Sequence, residues 1–515
     1  MSPAVAISGP FVIAVDAGTT GVRSLVVDAG GAVVDVAYRE LTQHFPRPGW
    51  VEHDAAEIRG HVLDTLAEVA GRLSARGGSA AAIGITNQRE TVVAWDRRSG
   101  EPLARALVWQ DRRTAGRCEE LEAAGHLDTV RRRTGLVLDP YFSATKMAWL
   151  LERGGVPDTG DLALGTVDAW VAWILTGGPD GGVLATDATN ASRTLLYDIV
   201  DHRWSQELAE LFGVPLHALP EVRPSCGRIG VLAGEAAAAS GLAGVPVSGV
   251  AGDQQAALFG QACFEPGMAK VTYGTGSFAL LNVGPVCPEP ADGLLTTVAW
   301  DLGAHGGPEP FAYALEGAVF VTGAAIQWLR DGLGIITEAA EVGPLAEQVA
   351  DSEGVVVVPA FTGLGSPWWD PYARGTIVGL SRGLGAAHIA RATVESIAFS
   401  VRDAVDAMTA ATGTRLSVIR ADGGAAVLEL LLQLQADQLQ VPVTRPVSTE
   451  TTALGAATLA GLAEGVWSST DELAGLWRAD VERAPARSPI AADAAHDRWL
   501  RAVERSRHWA RDVRA

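Results

Sequence analysis

Apolar residues fall into short continuous runs and into longer stretches with helical spacing, the two separated by glycine-rich turns. Residues 11–15 and 24–27 are runs of the first kind, suited to buried strands, and the turn between them reads DAGTTGVR. Residues 81–86 and 245–250 repeat the pattern. The second of these meets an Ala251-Gly252 turn and then an apolar helix opened by Asp253. In the second half, residues 269–284 (AKVTYGTGSFALLNVG) read strand, turn, strand and mirror the opening hairpin. Helical spacing marks residues 165–177, 314–329 and 388–409, and a strand over 416–421 leads into an apolar helical stretch ending at residue 439. Residues 361–375 form a turn-rich loop. Beyond residue 467 the chain reads as a solvated amphipathic helix rich in Arg, Asp and Glu. Strands alternating with helices predict an α/β fold.

At 515 residues the chain exceeds what one hydrophobic core supports, which divides it into two domains, 1–261 and 262–515. A net charge of −20 argues against nucleic acid or an anionic membrane as a general partner. Backbone N–H groups can still bind phosphate locally. Lys146 and Lys270 are the sole lysines, and the four cysteines show no CxxC spacing, a pattern of reduced thiols rather than a disulfide frame or zinc site. Without a basic leader or an apolar run of spanning length, a cytoplasmic location is expected.

Several turns carry candidate chemistry, each beside a plainer alternative. The tip at Thr19, Thr20 and Gly21 presents N–H and hydroxyl groups that can cradle phosphate, and Asp16 can hold a hydrated Mg²⁺. An ordinary hairpin fits the same residues. No GxxxxGK[ST] loop occurs, and the Gly-Thr-Gly at 274–276 lacks the third glycine of a dinucleotide fingerprint. A similar hairpin at the head of each half suggests two related domains clamping one nucleotide. Arg89-Glu90 suits a polyhydroxy ligand or is a surface ion pair. Trp109 and Tyr141 line a ligand or fill a core. Asp422-Gly423-Gly424 is a backbone platform for a planar ligand or a simple strand-to-helix turn. Asp253 is a helix N-cap or a general base for a substrate hydroxyl.

Taken together these residues resemble the FGGY carbohydrate kinases, which share the two-domain actin-like ATPase (ribonuclease H-like) fold with the active site in the interdomain cleft. The likeness runs from about residue 11 to 467 through PGWVEHD, ITNQRET, VWQDRRT, DPYFSATK, TNASRT, AGDQQAALFGQ, TYGTG, YALEGAVF, FTGLGSPWWDPYARG and TALGAA. It implies ATP-dependent phosphorylation of glycerol to sn-glycerol 3-phosphate, the first step of glycerol catabolism, by a homodimer or homotetramer. It further implies that Arg89, Glu90, Tyr141 and Asp253 bond the hydroxyls, with Gln254 adjacent, and that Trp109 and Phe278 cover the carbon backbone. Asp253 would be the general base. Thr19, Thr20, Gly21 and Arg23 would meet the phosphates from one domain and Thr275 from the other. Gly323, Gln327, Gly424 and Leu428 would line the nucleotide site, and Asp16 would serve Mg²⁺.

The chain departs from the family pattern in three places. Gly21-Val22 stands where two serines are common, and Leu428 stands where an Asn near adenine is common. Gly241-Leu242-Ala243-Gly244 replaces the Gly-Gly-Thr-Arg loop of relatives that bind fructose bisphosphate, so such inhibition is not expected. The alternatives are a ketopentose or other polyol kinase of the same fold and an actin-like ATPase without a small-molecule acceptor.

Overall fold

Small and β-branched residues, buried on both faces, make β1 (Pro10–Ala17) and β2 (Gly21–Asp28) interior strands of the first sheet. Their antiparallel register sets Asp16 opposite Arg23. β3 (Val33–Glu40) extends the meander. Helix α1 (Ala55–Ala75) starts where the Asp54 carboxylate accepts the Ala56 N–H, and it buries Ile58, Val62, Leu66 and Val69 against the sheet. β4 (Ser79–Asn87) returns parallel to β1, and helix α2 (Val167–Leu175) packs into the same core. β5 (Cys226–Val231) and β6 (Pro246–Gly252) complete the order β5-β6-β4-β1-β2-β3. This is a computed structural model, and it describes residues 9–511.

Helix α3 (Asp253–Gly260) leaves β6 and leads to β7 (Met268–Tyr273), β8 (Ser277–Gly284), β9 (Leu295–Asp301) and β10 (Phe311–Val319). Helices α4 (Gly323–Asp331) and α5 (Ala386–Thr412) precede β11 (Val418–Asp422). After them come α6 (Glu429–Leu439), β12 (Val443–Pro446), α7 (Thr451–Ala463), β13 (Ala479–Arg483) and α8 (Pro489–Ser506). The second sheet runs β9-β10-β8-β7-β11-β12-β13. Its stretch β10-β8-β7-β11-β12 repeats β3-β2-β1-β4-β6: three antiparallel strands, then two parallel ones. A pair of such sheets is the actin-like, ribonuclease H-like arrangement, with ligands expected outside the carboxyl ends of the parallel strands.

Two helices cross where the halves meet, and glycine lets them touch. A Cβ at Gly455 of α7 would lie 1.8 Å from the Ala256 carbonyl oxygen of α3, and one at Gly260 would lie 2.0 Å from the Thr451 oxygen. On its other side α7 meets the first sheet, where a Cβ at Gly84 would lie 2.1 Å from the Ala456 oxygen. Although α7 belongs to the second half of the sequence, it therefore sits on the first sheet.

Four expectations are corrected. Residues 314–319 are strand, not helix, because β10 lies inside the sheet and a strand buried on both faces shows no alternation. Residues 165–166 end another strand (Leu162–Thr166), and the helix begins at Val167. The chain beyond residue 467 is not all helix: it passes through a short helix (Thr470–Leu476) and the strand β13 before the amphipathic α8, whose buried face carries His496 and Trp499, both bonded to the Asp403 carboxylate of α5. Gly252, not Asp253, holds the N-cap position of α3; Asp253 is the first helical residue, its Oδ1 accepting the Gln254 N–H at 2.7 Å.

Candidate active site

Each sheet carries a hairpin whose tip is closed by one backbone hydrogen bond. The Gly18 N–H donates to the Gly21 carbonyl at 3.0 Å, and the Gly274 N–H to the Gly276 carbonyl at 2.8 Å. Thr20 and Thr275 are exposed and Thr19 is half-buried. A Cβ at Gly18 or Gly274 would meet nothing closer than 3.4 Å, so both tips are open to close approach. Asp16 lies buried at the end of β1, where Oδ2 accepts from Arg23 Nε at 2.8 Å. Arg23 Nη1 also reaches the Glu450 carboxylate at the head of α7. Burial pushes the Asp16 carboxyl up, and the Arg23 charge opposes it. Among the described residues no three His, Cys, Asp or Glu side chains converge on a metal site. Mg²⁺ needs no such cage: it keeps waters and takes one or two carboxylates with phosphate oxygens. A single carboxylate beside a phosphate-type turn fits that ion.

Beyond β4 the chain turns sharply, with Glu90 at φ 61°, a cost of about 1–3 kcal/mol that marks functional positions. Arg89 and Glu90 are buried, not a surface pair. Arg89 Nη1 donates to Glu316 at 2.6 Å and to Gln255 Oε1 at 3.1 Å; Nη2 donates to the Tyr141 hydroxyl at 3.3 Å. Its Nε lies 3.3 Å from Asp253 Oδ1. Glu90 accepts from Arg193 Nε at 2.7 Å, and Arg193 Nη2 donates to Glu316 at 2.9 Å. Two arginines and two glutamates thus form one buried ion-pair cluster. Doubly paired Glu316 is held down to about 2 against the effect of burial. Burial pushes Glu90 up, opposed by the arginines.

Trp109 stands edge-on to Tyr141, ring centroids 5.6 Å apart, and its Nε1 donates to Thr19 Oγ1 at 3.0 Å. The aromatic pair is thereby tied to the first hairpin tip. Phe278 lies half-buried on β8 opposite Thr272. The Asp253 side chain keeps 34% of its surface. Loss of hydration in the cleft still pushes its carboxyl up, and Arg89 and then Lys270 pull it back. Lys270 is buried on β7, where Nζ donates to Gln254 Oε1 and, at 2.9 Å, to Thr272 Oγ1. Across the second tip, the Gly323 N–H donates to the Gly274 carbonyl at 3.0 Å, which seats α4 on the hairpin. Gln327 is exposed one turn along α4. Gly423, at φ 87°, lies against the Tyr273 backbone, while a Cβ at exposed Gly424 would meet nothing within 4 Å. Leu428 caps α6 and packs at the edge of the second core.

Residues 11–260 match the amino-terminal domain of the FGGY family of carbohydrate kinases, and residues 269–464 match its carboxy-terminal domain. The chain belongs to the FGGY carbohydrate kinases. It is 52% identical to a glycerol kinase of Bordetella parapertussis, over 97% of this chain and 98% of that one. It is 54% identical to a glycerol kinase of Trichlorobacter lovleyi, over 97% and 99%. Its structure superposes on a Plasmodium falciparum glycerol kinase crystallised with ADP at a TM-score of 0.91, with 33% identity over 97% and 99% of the two chains. A xylulose kinase of Rhodospirillum rubrum superposes at 0.85 with 27% identity, over 96% and 98%.

This FGGY chain uses residues that the sequence did not single out. Arg193, Glu316 and Gln255 hold Arg89 and Glu90. Buried Gln88 donates to the Gly18 carbonyl at 3.1 Å and accepts from Thr91 Oγ1 at 2.8 Å, and that same Oγ1 accepts the Trp109 N–H at 3.1 Å. Lys146 Nζ donates to the carbonyls of Pro140, Tyr141 and Phe142 at 2.7–2.8 Å, fixing the turn that carries Tyr141. A spacing signal could not find them, since residues 89, 193 and 316 are brought together by the fold alone. Their presence inside quoted motifs (Arg193 in TNASRT, Glu316 in YALEGAVF) was the available clue.

Proposed function

We propose that this chain transfers the terminal phosphoryl group of ATP to glycerol, giving sn-glycerol 3-phosphate and ADP. The carrying observation is Asp253, at the carboxyl end of β6 and 3.3 Å from Arg89 Nε, with Arg89 in turn meeting Glu90 and Tyr141, and Tyr141 meeting Trp109. Arg89, Glu90 and Tyr141 supply donors and acceptors for a small triol, and Trp109 and Phe278 cover its carbon face. Glycerol kinases about 50% identical over nearly the full length support this acceptor over a ketopentose. In this reading residues 1–261 hold glycerol and residues 262–515 hold the nucleotide. The first tip (Thr19, Thr20, Gly21, Arg23) and Thr275 of the second meet the phosphates. Gly323, Gln327, Gly424 and Leu428 line the nucleoside side.

Phosphoryl transfer needs positioning and charge neutralisation more than covalent protein chemistry. Asp253 receives the proton of the attacking hydroxyl, and Arg89 fixes the carboxylate's orientation. The breaking bond runs from γ-phosphorus to the bridging oxygen of ADP, and the forming bond from the substrate oxygen to the same phosphorus. Mg²⁺ at Asp16 supplies charge neutralisation at the phosphates when bound. Closing the halves excludes water as a competing acceptor. Among the described residues no helix is long and apolar enough to cross a membrane, and we place the enzyme in the cytoplasm as a dimer or tetramer. Coupled ADP release with glycerol against a panel of polyols and ketopentoses tests the proposal. Glycerol should give the highest kcat/KM, and a ketopentose turned over more efficiently would overturn it.

A further inference from the structure

Gly21 follows the first hairpin tip, and its backbone lies outside the left-handed region that favours glycine. The reason for glycine there is space. A Cβ at residue 21 would lie 2.4 Å from Tyr38 Cε2, 2.5 Å from the Tyr38 hydroxyl oxygen and 2.5 Å from the Arg39 carbonyl oxygen. The Tyr38 ring, on β3, fills the volume that any side chain at 21 would need. Its hydroxyl donates to the Thr20 carbonyl at 3.1 Å, and the Leu41 N–H donates to that carbonyl at 2.9 Å. Register sets Tyr38 beside Arg23 on the neighbouring strand, so one ring touches the tip and flanks its arginine. Half of the Tyr38 surface remains exposed (50%).

We infer that Tyr38 and Gly21 act as a matched pair setting nucleotide affinity, with Tyr38 a positioning residue for the first phosphate tip. The inference rests on the reading of that tip as a phosphate site. Backbone N–H groups bind phosphate only when the loop presents them together, and preorganising such a loop raises affinity by removing the cost of ordering it. Here order comes from two directions: the ring fills the space beside glycine and limits the freedom of an otherwise permissive residue 21, and the hydroxyl joins the Leu41 N–H in holding the Thr20 carbonyl back from the phosphate side. A carbonyl left to swing toward the phosphates would repel them.

The test is ADP binding by calorimetry on full-length variants, together with KM for ATP and for the acceptor. Tyr38→Phe keeps the ring and loses the hydroxyl. It should weaken ADP about three- to tenfold, the fold-change of one neutral hydrogen bond, with acceptor KM and thermal midpoint unchanged. Gly21→Ala should weaken ADP more, because both the ring and the backbone at the Arg39 carbonyl must move, and only the ring's share is relieved by removing Tyr38. Gly21→Ala combined with Tyr38→Ala should bind ADP more tightly than Gly21→Ala alone, the non-additivity of residues in contact. Additive effects, or an equal rise in KM for ATP and acceptor, would overturn the pairing. ADP binding is independent of the acceptor, so an error in assigning glycerol leaves these outcomes in force. A wild-type protein that bound no ADP would overturn both readings.

Discussion

Arg89 Nη1 lies 2.6 Å from Glu316 Oε2, and both side chains are almost wholly enclosed. Arg89 follows β4 of the first sheet, and Glu316 is in the middle of β10 of the second. The pair therefore joins the two sheets, and its arginine also lies 3.3 Å from Asp253. A buried ion pair is weak evidence for stability, because desolvation offsets the Coulomb gain, but removing one partner leaves an uncompensated charge. The cluster holds one geometry of Arg89, and Arg89 in turn orients Asp253.

Glu316→Gln should destabilise the protein by about 3–5 kcal/mol near neutral pH, the usual loss on breaking a buried pair. The sign of its pH dependence follows from a folded pKa of about 2, below the roughly 4.3 of an unfolded glutamate. Its stabilisation is fully present above the unfolded value and is lost as pH falls from about 4 to about 2. Denaturant titrations from pH 3 to pH 7 check this. The wild type should lose stability across the acid part of that range, and the variant should lose less. Parallel curves would remove the Glu316 charge from the account.

Asp253→Asn should lower kcat by about 10²–10⁴, the usual contribution of a general base. Loss of the charge leaves Arg89 with Glu316, Gln255 and Tyr141 as partners, so glycerol binding should change little. Rapid-quench turnover and equilibrium glycerol binding separate the two effects. Turnover within a factor of about three of wild type would exclude a base that contributes on that scale.

Burial raises Asp253 above the ordinary carboxylate range, and Arg89 and Lys270 oppose the rise. A base works deprotonated, so kcat/KM should fall as pH drops through this raised value. Lys270→Met removes one of the two opposing charges and should move the acid limb to higher pH. A pH profile of both proteins reads this directly. A variant with reduced kcat/KM and an unmoved acid limb would show that Lys270 acts through its hydrogen bonds to Gln254 and Thr272 and not through its charge on Asp253.

The parts of this site that follow a local rule were legible in the sequence. Glycine and threonine between two apolar runs announced both hairpins, and Asp16 and Arg23 fell opposite each other once those strands paired. Asp253 was legible as the first polar residue after a buried strand. Position alone named it a cap, whereas its nearest charged neighbour is Arg89, from another strand end. What stayed hidden depends on the third dimension. Glu316 sits in a run of small and apolar residues that reads as helix, and its partners are 123 and 227 positions away. β10 was misread for the same reason: burial on both faces erases the alternation that distinguishes strand from helix. The edge strand β13 was not anticipated either, because its exposed, charged residues carry no apolar signal.

Gly455→Ala tests whether the helix crossing positions Asp253, the proposed base. The added Cβ would lie 1.8 Å from the Ala256 carbonyl oxygen, a backbone atom that moves only if α3 moves. Overpacking of this kind costs about 1–3 kcal/mol. Asp253 is the first residue of α3, so relief of the clash displaces it from Arg89, and misplacement by about 1 Å can cost about a hundredfold in rate. Gly475→Ala is the control: its Cβ would meet nothing within 4 Å, and alanine favours the short helix Thr470–Leu476 that contains it. The expected outcome is a lower thermal midpoint and a kcat at least about tenfold down for Gly455→Ala, with both unchanged or the midpoint slightly raised for Gly475→Ala. A Gly455→Ala protein that melts early but turns over at the wild-type rate below its transition would leave α7 a structural support and nothing more.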